Sequence, residues 1–147
     1  RSDSDIRTLQ DLAGKVVAVQ STTKPEELFL NAEQNGLPRL RRLYSLQNRD
    51  LLYTTLLKGY ADAIAAHESA IRQFMKDYSV EYRILDEPLM TARLGVAFSK
   101  NRSDDLPQQL TEVFQEMLAD GTVRQIVSRY LDDPEHYLDG LEDSTHA

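Results

Sequence analysis

The sequence predicts an α/β fold with a mainly parallel sheet flanked by helices, and three observations lead to this prediction. Short apolar runs of strand length alternate with helical patterns about three times in the first half of the chain. The first run, residues 16–19, is apolar throughout, which is typical of a strand buried on both faces. After residue 100 the pattern is only helical. Such alternation favours parallel pairing with right-handed crossovers.

The elements follow in order from this pattern. A short helical turn ends at Gly14, and strands are predicted at residues 16–19, 40–44, 61–66, 80–85 and 92–98. The first long helix runs from about residue 24 to residue 34, with Thr23 and Glu26 at capping-box spacing. A second helix begins after Asn48 and ends at Gly59. A third follows residue 66 and directs three side chains to the core: Ile71, Phe74 and Met75.

Two helices complete the pattern, separated at Gly121. Thr122 and Gln125 have capping-box spacing at the start of the second of them, which is expected to bury Ile126, Val127 and Tyr130. The first carries one apolar stripe, formed by Leu106, Leu110, Val113, Phe114, Met117 and Leu118. The chain therefore divides into a loose opening segment (1–8), an α/β lobe (9–100), two C-terminal helices (101–131) and an acidic tail (132–147).

The composition excludes several classes of function. Subtracting 24 acidic from 17 basic side chains gives a net charge of −7, which disfavours binding to nucleic acid or to anionic membranes. The absence of cysteine removes disulfides, zinc–thiolate sites and cysteine nucleophiles. No apolar run is long enough to span a membrane. Because the chain begins at Arg1 without a signal peptide, we expect a processed or excised piece.

One candidate site is the loop that follows the first strand. It comprises Gln20, Ser21, Thr22 and Thr23 and leads into Lys24. Ligands of open α/β sheets bind at the carboxyl ends of strands, and hydroxyls with free backbone amides suit a small polar ligand. The alternative is that Thr23 only caps the helix. Both interpretations remain open from these residues.

His67 is the second candidate, since it directly follows the predicted strand 61–66 and would reach the same crevice. The alternative is a histidine that hydrogen-bonds locally at a helix start. The pair His67-Glu68 begins like a zinc-protease motif, but Ile71 stands where the second ligand belongs. No nucleotide-binding or hydrolase motif is present. We therefore predict no metal, no cofactor and no catalytic residue.

At these positions the sequence resembles the bacterial extracellular solute-binding protein family 3, the periplasmic polar-amino-acid-binding proteins of ABC importers. The similarity rests on four motifs in order, covering about residues 9–131: Asp11-Leu12-Ala13-Gly14-Lys15 before the first strand and hydroxyl loop, Gly59-Tyr60-Ala61-Asp62-Ala63, Gly95-Val96-Ala97 followed by Lys100, and Asp120-Gly121-Thr122.

The resemblance implies the second lobe of a periplasmic-binding-protein type II-like fold, with terminal helices that normally pack on a first lobe. That first lobe has no counterpart here, so we expect self-association through the apolar stripe, as a homodimer. The ligand contacts map onto residues 20–23 and His67. Thr22 replaces the loop glycine, and His67 replaces an aspartate that pairs with an α-amino group. A ligand without a cationic amine becomes more plausible.

The expected function is non-catalytic binding of a small polar solute, an amino acid or a small carboxylate, in a periplasmic or otherwise extracytoplasmic protein that feeds an ABC importer. The expected partners are the solute and the membrane importer subunits. One alternative is a periplasmic sensor module fused to a signalling or cell-wall domain. A lesser alternative is a dehydratase-like enzyme with His67 and Glu68 as acid and base, and another is a purely structural role.

Overall fold

The computed structural model describes residues 1–92 and 95–139. They belong to two compact units that meet in sequence between residues 93 and 94. We call the first the sheet unit and the second the helical unit. In the described part of the chain, no helix is long and apolar enough to cross a membrane.

The sheet unit is built on three parallel strands in the order β2-β1-β3. They are β1 (Val16–Gln20), β2 (Arg42–Leu46) and β3 (Ala63–Ala65). The register pairs Val17 of β1 with Leu43 on one side and with Ala63 on the other. The predicted α/β class with a parallel sheet is therefore confirmed, and the first predicted strand is its centre.

Both faces of β1 are buried, as its continuous apolar run predicts. Val17 and Val19 join one core cluster, with Phe29 from the following helix. Val16 and Ala18 face the other way and pack with Leu52. Because alternate side chains of a strand point to opposite faces, an entirely apolar strand supplies two cores at once.

Asp62 holds the starts of two strands together. Its backbone N–H donates to the carbonyl of Val16 at 2.8 Å, and its carboxylate Oδ2 accepts the Val16 N–H at 2.7 Å. The aspartate of the Ala61-Asp62-Ala63 motif thus completes the hydrogen bonding of β1 where β3 has not yet begun.

The sheet unit has three helices: α1 (Lys24–Leu30), α2 (Arg49–Leu57) and α3 (Glu68–Tyr78), of which α1 and α2 pack on β1. Asn48 caps α2 as predicted, since its Oδ1 accepts the Asp50 N–H at 2.8 Å. Helix α1 ends four residues before the predicted residue 34. The Asn35 side-chain amide donates to the carbonyls of Leu28 and Asn31, so a local polar side chain replaces further helical turns.

The predicted strands 80–85 and 92–98 are wrong among the described residues, where both segments lack strand pairing. Residues 93 and 94 of the second segment lie outside the described residues. Leu85 and Leu89 pack against the core cluster that contains Val17. An apolar pattern indicates that side chains contact the core. Here they do so although the backbone makes no hydrogen bonds to a neighbouring strand.

The opening segment, expected from the sequence to be loose, is attached to the core. Ile6 is buried at 5% exposure. The Arg83 guanidinium donates to the backbone carbonyls of Ser2, Ser4 and Ile6, and the ammonium group of Lys15 pairs with Asp5 at 2.9 Å. One apolar residue among polar ones therefore anchors the segment, and a distant arginine holds its backbone.

The helical unit contains α4 (Leu106–Ala119), α5 (Thr122–Val127) and α6 (Pro134–Leu138). Helix α6 lies where only a tail was expected, and Arg124 pairs with its Glu135 at 2.8 Å. The predicted capping box at Thr122 is wrong. Gly121, with φ +81°, is the N-cap, and the Asp120 carboxylate accepts the Thr122 N–H.

Within α5 the buried side chain is Val123 and Val127 is half-buried, whereas Ile126, and Tyr130 beyond the end of the helix, are exposed, contrary to the sequence prediction. Four residues of the α4 stripe are also 40–49% exposed: Leu106, Leu110, Val113 and Phe114. A helical pattern identifies a face that requires a partner, and it does not by itself provide one.

Candidate site at the carboxyl edge of the sheet

The loop after β1 continues the sheet for one residue and then turns sharply. The Ser21 N–H donates to the carbonyl of Leu46 at 2.9 Å, which extends the pairing of β1 with β2. Thr22 then adopts a left-handed backbone, with φ +59°. This conformation is unusual for a β-branched residue and favours glycine. The resemblance implies a glycine at the same position. The backbone at Thr22 therefore has a conformation that suits glycine better than threonine.

The loop hydroxyls donate to the loop's own carbonyls. Thr23 Oγ1 donates to the Gln20 carbonyl, and Thr22 Oγ1 donates to the Ser21 carbonyl, each at 2.6 Å. Thr23 is the N-cap residue of α1, but its side chain makes no capping bond to the helix. A hydroxyl that has donated its proton still accepts, so both threonines retain acceptor lone pairs.

Glu26 changes the electrostatics of this loop. Its Oε2 accepts the Thr22 N–H at 2.6 Å. In the predicted capping box this carboxylate would accept the N–H of Thr23 instead, so the predicted bonding is wrong although Thr23 is the N-cap. The Thr22 N–H, one of the backbone amides that we expected to be free for a ligand, is therefore already hydrogen-bonded to a negatively charged side chain.

A depression of about 350 Å³ lies beside this loop and the first turns of α1. It is lined by Thr22, Thr23, Lys24, Glu26, Glu27, Leu30 and Asn31. Two of these lining side chains form an ion pair, with 2.6 Å between Lys24 Nζ and Glu27 Oε1. Two predicted site residues line the depression, whereas Gln20, Ser21 and His67 do not.

His67 stands at the end of the neighbouring strand. Val19 of β1 pairs with Ala65 of β3, and continuing this register by two residues brings Ser21 beside His67. His67 is the exposed N-cap residue of α3, and its side chain makes no capping hydrogen bond. The structure thus places the hydroxyl loop and His67 after adjacent parallel strands, at the same edge of the sheet, and the local capping alternative for His67 is not observed.

Residues at the end of β2 were missed by the sequence interpretation. Gln20 pairs with Leu46, so Gln47 follows at the same carboxyl edge, on the side of β1 opposite His67. Predicting the order β2-β1-β3 would have identified Gln47, because a central β1 has two neighbours. The strand periodicity alone does not contain that order.

The acid–base alternative receives no geometric support. Glu68 pairs with Arg72 one turn further along α3, with 2.6 Å between Arg72 Nη2 and Glu68 Oε1. Its carboxylate is therefore directed along its own helix and does not converge on a substrate position with His67. Among the described residues no group of three or more histidine, aspartate or glutamate side chains is arranged to hold a metal ion.

Comparison with known proteins agrees with the resemblance. The chain is 34% identical over 139 residues to a protein of Escherichia coli K12 named histidine-binding periplasmic protein, covering 88% of this chain and 52% of that protein. It is 29% identical over 138 residues to the L-cystine-binding protein TcyK of Bacillus subtilis, covering 90% of this chain and 49% of that protein. No family model matches the chain.

A solved structure supports the same assignment. The crystal structure of the substrate-binding protein of an amino acid ABC transporter superposes with a TM-score of 0.66 at 25% identity, over 90% of this chain and 57% of that one. The chain is a homologue of part of the amino-acid-binding proteins of ABC transporters. It spans about half the length of the curated relatives that it matches. These relatives are named as binding proteins and not as enzymes, in agreement with the non-catalytic prediction.

Proposed function

We propose that this chain is the solute-contacting second lobe, with terminal helices, of a periplasmic protein that binds a small polar solute and delivers it to an ABC importer. The observation that supports the proposal is the parallel pairing of β1 with β3, since the hydroxyl loop follows β1 and His67 follows β3 at the same carboxyl edge of the sheet. Ligands of open α/β sheets occupy this position. The similar solved structure is named as part of an amino acid ABC transporter, which favours an importer over a fused signalling domain.

The proposed contacts are Gln20, Ser21, Thr22, Thr23 and His67. The threonine hydroxyls accept from the solute, because they donate to the loop's carbonyls. The His67 imidazole supplies a donor or an acceptor. The solute class is an amino acid or a small carboxylate, and its polar groups also require contacts from outside this lobe.

We also propose the division of the chain into a lobe at 9–100, terminal helices at 101–131 and an acidic C-terminal segment at 132–147 that contains α6. The exposed α4 stripe supports self-association of this chain as a homodimer when no other lobe covers it. Light scattering on the purified chain measures this directly. A measured mass equal to that of one chain, at a chain concentration of about 100 μM, would contradict the homodimer. It would not bear on the proposed solute site.

The solute proposal is tested by a thermal-shift screen of amino acids and small organic acids, followed by calorimetric titration of each compound that raises the melting temperature. The expected result is stabilisation by a small set of chemically related solutes. If the intact protein that contains this lobe binds no member of either class, the proposed function is wrong.

Two variants of one position identify the solute's charge. Replacing His67 by aspartate adds a carboxylate beside Ser21, and a charge-assisted hydrogen bond to an amine is worth about tenfold or more in affinity. We expect His67→Asp to improve binding of α-amino acids, whereas the neutral control His67→Asn does not. Equal effects of the two substitutions would remove His67 from the site.

A further inference from the structure

Residues 2–9, which we call the strap, lie alongside residues 83–87 without backbone pairing. The Arg83 guanidinium donates through Nη1 to the Ser2 carbonyl at 2.8 Å, and through Nη2 to the carbonyls of Ser4 and Ile6 at 2.7 Å each. Its Nε donates to Ile6 as well, at 3.2 Å. The strap is formed of turns and bends, with the Ser4 N–H donating to the Arg1 carbonyl at 3.1 Å. Three of its carbonyls therefore converge on a single guanidinium.

Other side chains complete this attachment. The Leu9 N–H donates to Glu87 Oε2 at 3.1 Å, and the Lys15 ammonium pairs with Asp5 at 2.9 Å. Ile6 inserts into the core cluster that contains Leu12. Residues 83–85 belong to a predicted strand, whereas the structure shows that the strap is held by the side chains of Arg83 and Glu87 and not by backbone pairing.

The strap differs from the strand it adjoins in how much it buries. It has one buried side chain, Ile6, whereas β1 has four and is paired on both sides. Segments with few buried apolar contacts open at lower free energy than core strands. Arg83 contributes four of the hydrogen bonds that hold the strap, and all four come from one guanidinium.

We propose that the strap opens as a cooperative unit without unfolding of the sheet, and that Arg83 is the latch that controls this opening. The open form exposes the position of Ile6 in the core cluster and the row of strap carbonyls. An exposed apolar position beside unpaired carbonyls makes this the form of the sheet unit most open to proteolysis and association. The proposal does not depend on the proposed function, because it concerns no residue of the solute site.

Amide hydrogen exchange by NMR tests the proposal on this chain. The Ile6 and Leu9 amides report the strap, since they donate to Ser4 Oγ and Glu87, and the Val17 and Val19 amides report the sheet. Replacing Arg83 by methionine keeps most of the apolar stem and removes every donor. We expect exchange at Ile6 and Leu9 to accelerate at least about tenfold, with less than about twofold change at Val17 and Val19.

Two variants control this experiment. Arg7→Met removes a positive charge next to Ile6 from a side chain that makes no hydrogen bond among the described residues, and it should leave all four rates within about twofold. Arg83→Lys retains the charge with fewer donors and should give an intermediate rate. Unchanged exchange at Ile6 and Leu9 in Arg83→Met would overturn the latch. Equal acceleration at the strap and at β1 would overturn independent opening, because Arg83 would then belong to the global core.

Discussion

The sheet unit and the helical unit solve the problem of apolar burial in different ways. Of the described residues, the buried apolar side chains are eleven in the sheet unit and one, Val123, in the helical unit. The sheet unit buries both faces of β1 beneath its own helices. The helical unit presents an amphipathic helix, α4, with four apolar side chains that are 40–49% exposed. A central strand with a helix on each face is buried within its own unit, whereas an amphipathic helix requires a partner for its apolar face.

The largest expected effect breaks the core of the sheet unit. Leu52→Ala removes a side chain that is 1% exposed, and such truncations cost about 2–5 kcal/mol of the free energy of unfolding. Its control in the helical unit, Leu110→Ala, removes a leucine that is 41% exposed and should cost less than about 1 kcal/mol. Urea denaturation followed by circular dichroism measures both. Similar losses would show that α4 is as well packed as the sheet.

A second prediction concerns the edge of the sheet unit at Asp62. Asp62→Ala leaves the N–H of the buried Val16 without its side-chain acceptor, at an expected cost of about 1–3 kcal/mol. Asp62→Asn retains a side-chain oxygen and should cost less than half as much. The same denaturation measurement compares them. If both variants lose equally, the charge of Asp62, rather than its hydrogen bond to Val16, stabilises the strand.

Tyr53 offers a prediction of increased stability within the sheet unit. Its ring stacks on Phe74 at 4.2 Å, while its buried hydroxyl has no hydrogen-bond partner among the described residues. Burial raises the pKa of this phenol, as expected for a desolvated group. Tyr53→Phe should therefore stabilise the fold by about 1 kcal/mol. The control is Tyr78→Phe, because Tyr78 is exposed, and a thermal melt that ranks the control above Tyr53→Phe would contradict this account.

The smallest effects concern exposed carboxylates in each unit. The backbone N–H groups of Arg7 and Thr8 hydrogen-bond to Asp11 and lower its pKa, and hydrogen bonds from Thr122 lower the pKa of Asp120. A lowered folded-state pKa contributes stability above the unfolded value of about 3.9, which is lost as the pH falls through the folded value.

We therefore expect Asp11→Asn to reduce stability at pH 7 and to flatten its decline between about pH 5 and pH 2. The corresponding change in Asp120→Asn should be smaller, since that carboxylate binds a single neighbouring residue. Acid titration monitored by circular dichroism compares the two variants. A steeper acid decline in Asp11→Asn than in the parent would reverse the assigned sign.

The sequence by itself determined the elements whose signals are local. The apolar run at 16–19 predicts β1 and its two-sided burial, Asn48 predicts the start of α2, and Gly121 predicts the break between α4 and α5. The class of fold also came from the order of elements, whereas the assignment of the hydroxyl loop and His67 as ligand contacts, made from their positions after predicted strands, stays a proposal. These features depend on apolar side chains, on capping oxygens and on the backbone freedom of glycine, all of which are determined by residues close together in the sequence.

Only the tertiary structure decided which segments pair and which side chains share an edge. The order β2-β1-β3 brings Gln47 to the candidate site, and no periodicity encodes that order. The segment 80–85 has an apolar pattern but forms no strand, and its Arg83 side chain instead hydrogen-bonds to the strap across 77–81 residues of sequence. Hydrogen bonds between distant residues depend on where the whole chain folds, so local composition cannot specify them.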